Sequence, residues 1–199
     1  MSSFQGQGEF FSSSNFFWEA SLSEQSIALS KKSIQEWQTR IYSHQKKCFQ
    51  NLDLINHQTS LFQNHERDQE ESFKPLSLTP LPINFWRWPK KFFEGPAVYL
   101  VMDKFSKEEK SIILYIGETI AAEQRWKGEH DCKSYLNNYS SILNEVSMSC
   151  QLSIRFWTDV PRDTVKRRAL EQKLIRRWLP PFNKETRTRW QTPFTTGIS

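Results

Sequence analysis

The 199 residues are enough for one domain of ordinary size plus an accessory segment, and no apolar stretch longer than Ala97 to Met102 occurs, which is far too short to span a bilayer. Residues 1–8 show no basic segment followed by an apolar run, so we expect no secretory signal and no membrane partner. The scattered Cys48, Cys132 and Cys150 lack metal-ligand spacing, so we expect a reducing, cytoplasmic location. The net charge of +5 is uneven, because residues 1–85 hold 7 Lys and Arg against 9 Asp and Glu, whereas residues 86–199 hold 20 against 13. This basic second part favours a nucleic-acid partner, since neutralised phosphates release condensed counterions.

The N-terminal region is predicted to contain a tail and one long helix. Residues 1–30 are rich in Ser, Gln and Phe without a period, which indicates a flexible tail or, alternatively, an aromatic docking segment. Ser33 and Glu36 have the spacing of a capping box, so a helix is predicted from here to about Asn56. Its apolar residues share one face, which must be buried on the rest of the chain or on a second copy of it, so a homodimer through this helix is one alternative. These residues are Ile34, Trp37, Ile41, Cys48, Leu52 and Ile55.

Residues 31–85 are therefore interpreted as a helical accessory segment that ends in a proline-rich linker. Pro75, Pro80, Pro82 and Pro89 exclude regular structure in this linker. A separate domain is predicted over residues 86–199.

Alternation and turn signals predict the elements of this second domain. Two β-branched and aromatic runs, 97–103 and 111–116, are predicted to form an antiparallel hairpin. A third strand is predicted at 150–157. Helices are predicted from Thr119 through Lys127, over 135–146, and from Pro161 or Asp163 to the residues before Pro180. This order predicts an α/β protein of the α+β kind, with a small three-stranded, largely antiparallel sheet flanked by helices and preceded by a helical N-terminal extension.

Two triplets on the predicted hairpin resemble the signature of the GIY-YIG nuclease family. Residues 115–117 read Tyr-Ile-Gly, and residues 97–99 read Ala-Val-Tyr, where alanine replaces the family's glycine. Arg125, Glu171 and Asn183 follow in the order and approximate spacing of the family's site residues. The resemblance covers about residues 95–183, close to half of the chain. It implies a phosphodiester hydrolase that cleaves double-stranded or branched DNA with one Mg²⁺ or Mn²⁺ ion per site.

The resemblance also implies a role for each of these residues. Tyr99 would orient the attacking water and take its proton, with Tyr115 assisting. Arg125 would present its planar set of donors to the phosphate oxygens. Glu171 would hold the metal ion, which keeps several of its waters, and Asn183 would fix the phosphate or Glu171.

A histidine completes the set of candidate catalytic residues. Some members of the family place a histidine four residues after the arginine, as a further proton acceptor. Glu129 occupies that position here and His130 follows it. His130 is therefore a candidate for this role, with an ordinary surface histidine as the alternative.

Basic residues of the last predicted helix and of the segment after it are candidates for contact with the phosphate backbone. A solvated helix face is the alternative interpretation of such a charge run. With one further lysine after Arg125, the candidates are Lys127, Lys166, Arg167, Arg168, Arg176, Arg177, Arg187 and Arg189.

The first functional hypothesis is thus a metal-dependent DNA endonuclease, with restriction, repair or recombination, and mobile-element roles all open. A second is a catalytically weak or inactive nucleic-acid-binding protein that keeps the fold. An ion pair between Glu171 and an arginine would favour this second hypothesis. A third is an interaction scaffold that uses the aromatic tail, which leaves the basic second half unexplained.

Overall fold

A computed structural model of the chain describes residues 30–58, 69–87, 94–106, 108, 110–121, 125–126 and 131–195. The predicted aromatic tail therefore lies outside the described residues, apart from Ser30. The helices are α1 (Lys31–Gln58), α2 (Gln69–Ser72), α3 (Asp131–Glu145) and α4 (Thr164–Trp178). Short 3-10 helices cover Pro75–Ser77, Phe85–Arg87 and Pro193–Thr195. The strands are β1 (Leu81–Pro82), β2 (Ala97–Lys104), β3 (Ser111–Thr119) and β4 (Leu152–Trp157).

These strands form one antiparallel sheet in the order β1-β4-β2-β3. The predicted hairpin of β2 and β3 and the predicted third strand are confirmed. The prediction of three strands is wrong, because the proline-rich linker contributes β1, which pairs with β4 through Leu81 and Pro82. A proline is tolerated there because β1 is the outermost strand and needs hydrogen bonds on one side only.

Apolar side chains cover both faces of the sheet, so the molecule has three layers. Helix α4 packs on one face through Leu170, Leu174, Ile175 and Trp178. Helices α1 and α3 and the C-terminal segment pack on the other face. Alternation along β2 assigns its side chains to the two faces, with Val98 and Leu100 towards α4 and Tyr99 towards α3.

Helix α1 buries its apolar stripe against the rest of the same chain. Ile34, Trp37 and Ile41 are almost fully buried in the core that also contains the sheet and α3. These three residues of the predicted stripe are therefore covered by the same chain, whereas the side chains of Leu52 and Ile55 lie outside the described residues. The helix begins earlier than predicted, because the Ser30 hydroxyl accepts a hydrogen bond from the Ser33 backbone N–H at 3.2 Å. Ser30, and not Ser33, is thus the capping residue.

A buried glutamine ties α1 to the sheet. The Oε1 atom of Gln45 accepts from the Ile113 backbone N–H at 2.7 Å, and its Nε2 donates to the Ile113 carbonyl at 2.9 Å. The same Nε2 donates to the Trp178 carbonyl at 3.1 Å. One side chain thus satisfies backbone groups of both β3 and the end of α4.

The two helices that flank the candidate site begin at identifiable residues. Helix α4 starts as predicted, since the Asp163 carboxylate accepts from the Lys166 backbone N–H at 2.8 Å. Helix α3 begins at Asp131, four residues before the predicted start. Across the described ranges, none of the helices combines the length and the apolar character needed to cross a bilayer.

Candidate active site

Two stacked tyrosines lie at the centre of the candidate site. Tyr99 on β2 and Tyr115 on β3 have ring centroids 6.0 Å apart and planes inclined by 28°. Tyr99 is fully buried, and Trp126 packs edge-on against its ring at 5.8 Å. Trp126 follows Arg125 directly, so this contact anchors the backbone that carries the candidate phosphate-binding arginine.

Tyr115 lies on the same side of the sheet as Tyr99, and a β-bulge on β3 places Leu114 on that side as well. Val101 pairs with Tyr115 while the next residue, Met102, pairs with Ile113, so Leu114 is the extra residue on β3. Leu114 and Tyr115 both contact the core on the α3 side, whereas Ile113 belongs to the α4 side. Strict alternation would place Leu114 and Tyr115 on opposite sides, and the bulge is the reason that both lie on one side.

Gly117 makes room for both tyrosine rings. A Cβ atom at this position would lie 2.5 Å from both Cζ and Oη of Tyr99 and 2.9 Å from Cε1 of Tyr115. Gly117 is also the residue of β3 that pairs with Tyr99. The Tyr99 ring therefore lies directly across the glycine, and any larger residue would displace it.

Both phenols are held in the neutral form. Burial raises the pKa of Tyr99 well above its ordinary value of 10, the neighbouring Tyr115 raises it further, and Arg125 opposes the shift. Burial likewise raises the pKa of Tyr115 to about 12. Within the described part of the chain, no group reaches the buried Tyr99 hydroxyl with hydrogen-bond geometry. Tyr99 thus keeps a hydroxyl that can donate to and accept from a water molecule.

A cavity of about 440 Å³ opens beside Tyr115. Its wall carries three cationic side chains and one acidic side chain, together with two phenols. The charged and hydroxyl groups come from Tyr115, Arg125, Asp131, Tyr135, Lys184 and Arg187. This surplus of positive charge suits the cavity to an anionic ligand.

Glu171 lies on α4 at the free edge of β3. Its Oε1 atom accepts a hydrogen bond from the Glu118 backbone N–H at 3.1 Å. Burial raises its pKa to about 7, the hydrogen bond from Glu118 opposes this, and the charges of Glu118 and Glu185 add to it. Among the residues that the structure describes, no lysine, arginine or histidine nitrogen lies within 4.0 Å of its carboxylate.

The charge state of Glu171 gives a testable dependence of stability on pH. Between about pH 4.5 and 7 the folded state binds more protons than the unfolded state, so this group destabilises the protein as the pH rises. Allowing for partial exposure, Glu171→Gln should raise the free energy of unfolding at pH 8 by on the order of 2 kcal/mol. Urea unfolding in EDTA at pH 8 and pH 5 tests this; a gain of the same size at both values would contradict it.

The Glu171 carboxylate fits a divalent cation. A half-buried carboxylate without a cationic partner, next to a second negative charge, is a favourable environment for Mg²⁺ or Mn²⁺. No cluster of three or more His, Cys, Asp or Glu side chains occurs in the described ranges, so such an ion would keep most of its waters. Glu118 is not available as a ligand, because its two carboxylate oxygens bind Arg167 at 2.7 Å and Arg168 at 3.2 Å.

Asn183 holds the backbone of β3 and makes no hydrogen bond to Glu171 within the described residues. Its Oδ1 accepts from the Ile116 N–H at 3.0 Å, and its Nδ2 donates to the Ile116 carbonyl at 2.8 Å. Asn183 therefore does not fix Glu171 directly, and its contact with a phosphate stays a prediction. Ile116 lies next to Tyr115, so this amide fixes the strand that carries the second tyrosine.

The structure corrects the expected contact between Arg167 and nucleic acid. Its guanidinium is fully buried, and it donates to the Glu118 carboxylate at 2.7 Å and to the carbonyls of Pro161 and Arg162 at 3.2 and 2.9 Å. A side chain in this position cannot reach a phosphate. It joins the end of β3 to the beginning of α4 instead.

The other basic candidates lie in varied surroundings. Arg168 is exposed but paired with Glu118, and Arg177 is half-buried and paired with Glu70 at 3.3 Å. Lys166, Arg176 and Arg189 are exposed. Arg187 lines the cavity. Lys127 and His130 lie outside the described residues.

Sequence reasoning missed Glu118, Tyr135 and Lys184. Glu118 directly follows the Tyr-Ile-Gly triplet, and Lys184 directly follows Asn183, so proximity to the motif residues was the available signal. Tyr135 was predicted only as part of the helix over 135–146, because its neighbours in sequence do not show that it lines the cavity. Comparison of the chain with protein-family models, with curated proteins and with solved structures returns no match.

Proposed function

We propose that this protein is a metal-dependent endonuclease that hydrolyses phosphodiester bonds in DNA. The observation that carries the proposal is the arrangement around β3. The stacked Tyr99 and Tyr115 lie beside Arg125 on one side of the strand, and Glu171 binds its free edge. These four residues come from distant parts of the chain and are those that the resemblance to the GIY-YIG nucleases singled out.

The tyrosines act as neutral hydrogen-bonding groups. The buried Tyr99 hydroxyl orients the attacking water, and Tyr115 supports it from the neighbouring strand. Because burial disfavours the phenolate of Tyr99, this residue orients the water as a neutral hydrogen-bonding group, and the proton of the attacking water passes to solvent.

Arg125 and Glu171 supply the remaining chemistry. The Arg125 guanidinium lies at the wall of the cavity and binds the oxygens of the phosphate on which charge develops. Glu171 would hold a divalent ion, which would supply further positive charge to stabilise the phosphate as negative charge develops on it. The hydrogen bond from the Glu118 backbone keeps the Glu171 carboxylate in place.

A cleavage assay on the wild-type protein and two variants tests the proposal. Glu171→Gln keeps an oxygen for the Glu118 N–H but removes the negative charge, so metal-dependent cleavage should fall on the order of 1,000-fold. Glu145→Gln is the control, because Glu145 is an exposed acid at the C-terminal end of α3. The substrates are supercoiled plasmid, branched DNA and RNA, each with Mg²⁺, Mn²⁺ or EDTA.

The outcomes separate the alternatives. Metal-dependent nicking that is lost in Glu171→Gln and retained in Glu145→Gln supports the nuclease, and the preferred substrate distinguishes restriction from repair. Cleavage retained in Glu171→Gln removes Glu171 as the metal ligand. Binding of DNA without cleavage of any substrate would instead indicate an inactive nucleic-acid-binding protein.

A further inference from the structure

Arg187 has a different environment from the paired arginines of α4. Its Nη1 atom donates to the Tyr135 hydroxyl at 3.0 Å. By contrast, Arg167 and Arg168 pair with the carboxylate of Glu118, and Arg177 pairs with that of Glu70. The hydrogen-bond acceptor of the Arg187 guanidinium is therefore a neutral hydroxyl and not a carboxylate.

The position of Arg187 directs this charge into the cavity. Arg187 is half-buried, and Lys184 lies on the same wall three residues earlier. Asp131 lines the cavity too, but no lysine or arginine of the described residues lies within 4.0 Å of its carboxylate. The hydrogen bond that Arg187 donates to the Tyr135 hydroxyl fixes the guanidinium in advance, which reduces the entropy lost when it binds an anion.

The cavity extends from the catalytic candidates to this pair of cations. Tyr115 and Arg125 line it together with Lys184 and Arg187, and Phe182 adds an apolar surface. An anion with repeated phosphates and apolar sugar faces between them matches such a wall. The exposed cations of α4 belong to a helix that packs on the opposite face of the sheet from the tyrosines.

We propose that Arg187, with Lys184, binds a phosphate of the DNA strand next to the one held at Tyr115 and Arg125. The strand thus runs through the cavity towards residues 184–187, and not along the basic face of α4. This inference rests on the proposed function, because it assumes that a phosphodiester occupies the site.

The salt dependence of DNA binding tests this path. Binding of a short fluorescent duplex DNA is measured in EDTA between about 50 and 200 mM NaCl, where each neutralised phosphate contributes about −0.9 to the slope of log K against log salt. Arg187→Gln should weaken binding about tenfold and flatten the slope by about 0.9. Arg187→Lys keeps the charge and should keep the slope.

Arg176→Gln is the matched control, since Arg176 is an exposed arginine on α4. It should leave both the affinity and the slope unchanged. An unchanged slope in Arg187→Gln, or an equal reduction in Arg176→Gln, would overturn the proposed path. Thermal unfolding of each variant identifies any loss of binding that comes from misfolding. If Arg187→Gln does not fold, Arg187→Lys provides the test, and a flatter salt slope in Arg187→Lys would also overturn the path.

Because binding is measured without metal, the test is independent of cleavage. A wild-type protein that cleaves DNA, with an unchanged slope in Arg187→Gln, refutes this path and leaves the nuclease standing. A wild-type protein that binds but does not cleave, with a flatter slope in Arg187→Gln, refutes the nuclease and retains the phosphate contact. Absence of DNA binding by the wild-type protein refutes both.

Discussion

Arg167→Met should lower the free energy of unfolding by about 3 to 5 kcal/mol, the usual cost of removing one partner from a buried ion pair. The Arg167 guanidinium has no exposed surface, and its donors bind the Glu118 carboxylate, two backbone carbonyls and the Thr164 hydroxyl. Methionine fills a similar volume but leaves all these acceptors without their donor. Since domains have only about 5 to 15 kcal/mol of stability in total, the variant should be close to unfolding at room temperature.

Arg168→Met is the control for this prediction. Arg168 binds the same Glu118 carboxylate at 3.2 Å, but 69% of its side chain is exposed. An exposed pair of this kind contributes at most about 1 kcal/mol. The free energy of unfolding of both variants is measured in urea at pH 7. Equal losses of free energy in the two variants would show that the buried Arg167 does not contribute more to stability than the exposed Arg168.

Gly117→Ala should disrupt the tyrosine pair and reduce cleavage about 100-fold, the effect of moving a catalytic group by about 1 Å. The new Cβ would lie 2.5 Å from the Tyr99 ring, well inside van der Waals contact. Trp126 and Phe156 both pack against the Tyr99 ring, so these contacts restrict the movement of the ring away from the new Cβ. Overpacking of this kind also destabilises a protein by about 1 to 3 kcal/mol.

A double-mutant cycle identifies the cause of the Gly117→Ala effect. With Tyr99→Leu as background, the ring that the alanine meets is absent, so Gly117→Ala should cost much less stability there. Unfolding in urea gives the four free energies. If the loss is the same in both backgrounds, strand conformation at residue 117 and not the Tyr99 ring is responsible.

Local signals in the sequence predicted the elements well. Runs of β-branched and aromatic residues located β2 and β3, alternation located β4, and Asp163 marked the start of α4. The antiparallel pairing of β2 and β3 followed from their closeness in sequence. These features depend on residues close together in sequence, and so the chain itself carries enough information to predict them.

Features that depend on pairing between distant segments were not predictable in this way. The bulge at Leu114 exists only in the register between β2 and β3. The burial of Arg167 depends on Glu118, 49 residues earlier, and its neighbours in sequence suggested only a solvated basic face. β1 is too short and too rich in proline to show a strand pattern, and it forms because β4 offers it a free edge.

The two amide side chains that bind β3 come from opposite ends of the described chain. Gln45 satisfies the backbone of Ile113 and Asn183 that of Ile116, so the outer rim of the strand has no run of bare peptide groups there. Without α1, the backbone groups of Ile113 would lose their partner, and an exposed strand edge of this kind can pair with a copy of itself, which is a common route to aggregation. The N-terminal helix thus covers part of the edge strand of the half that carries the candidate catalytic residues.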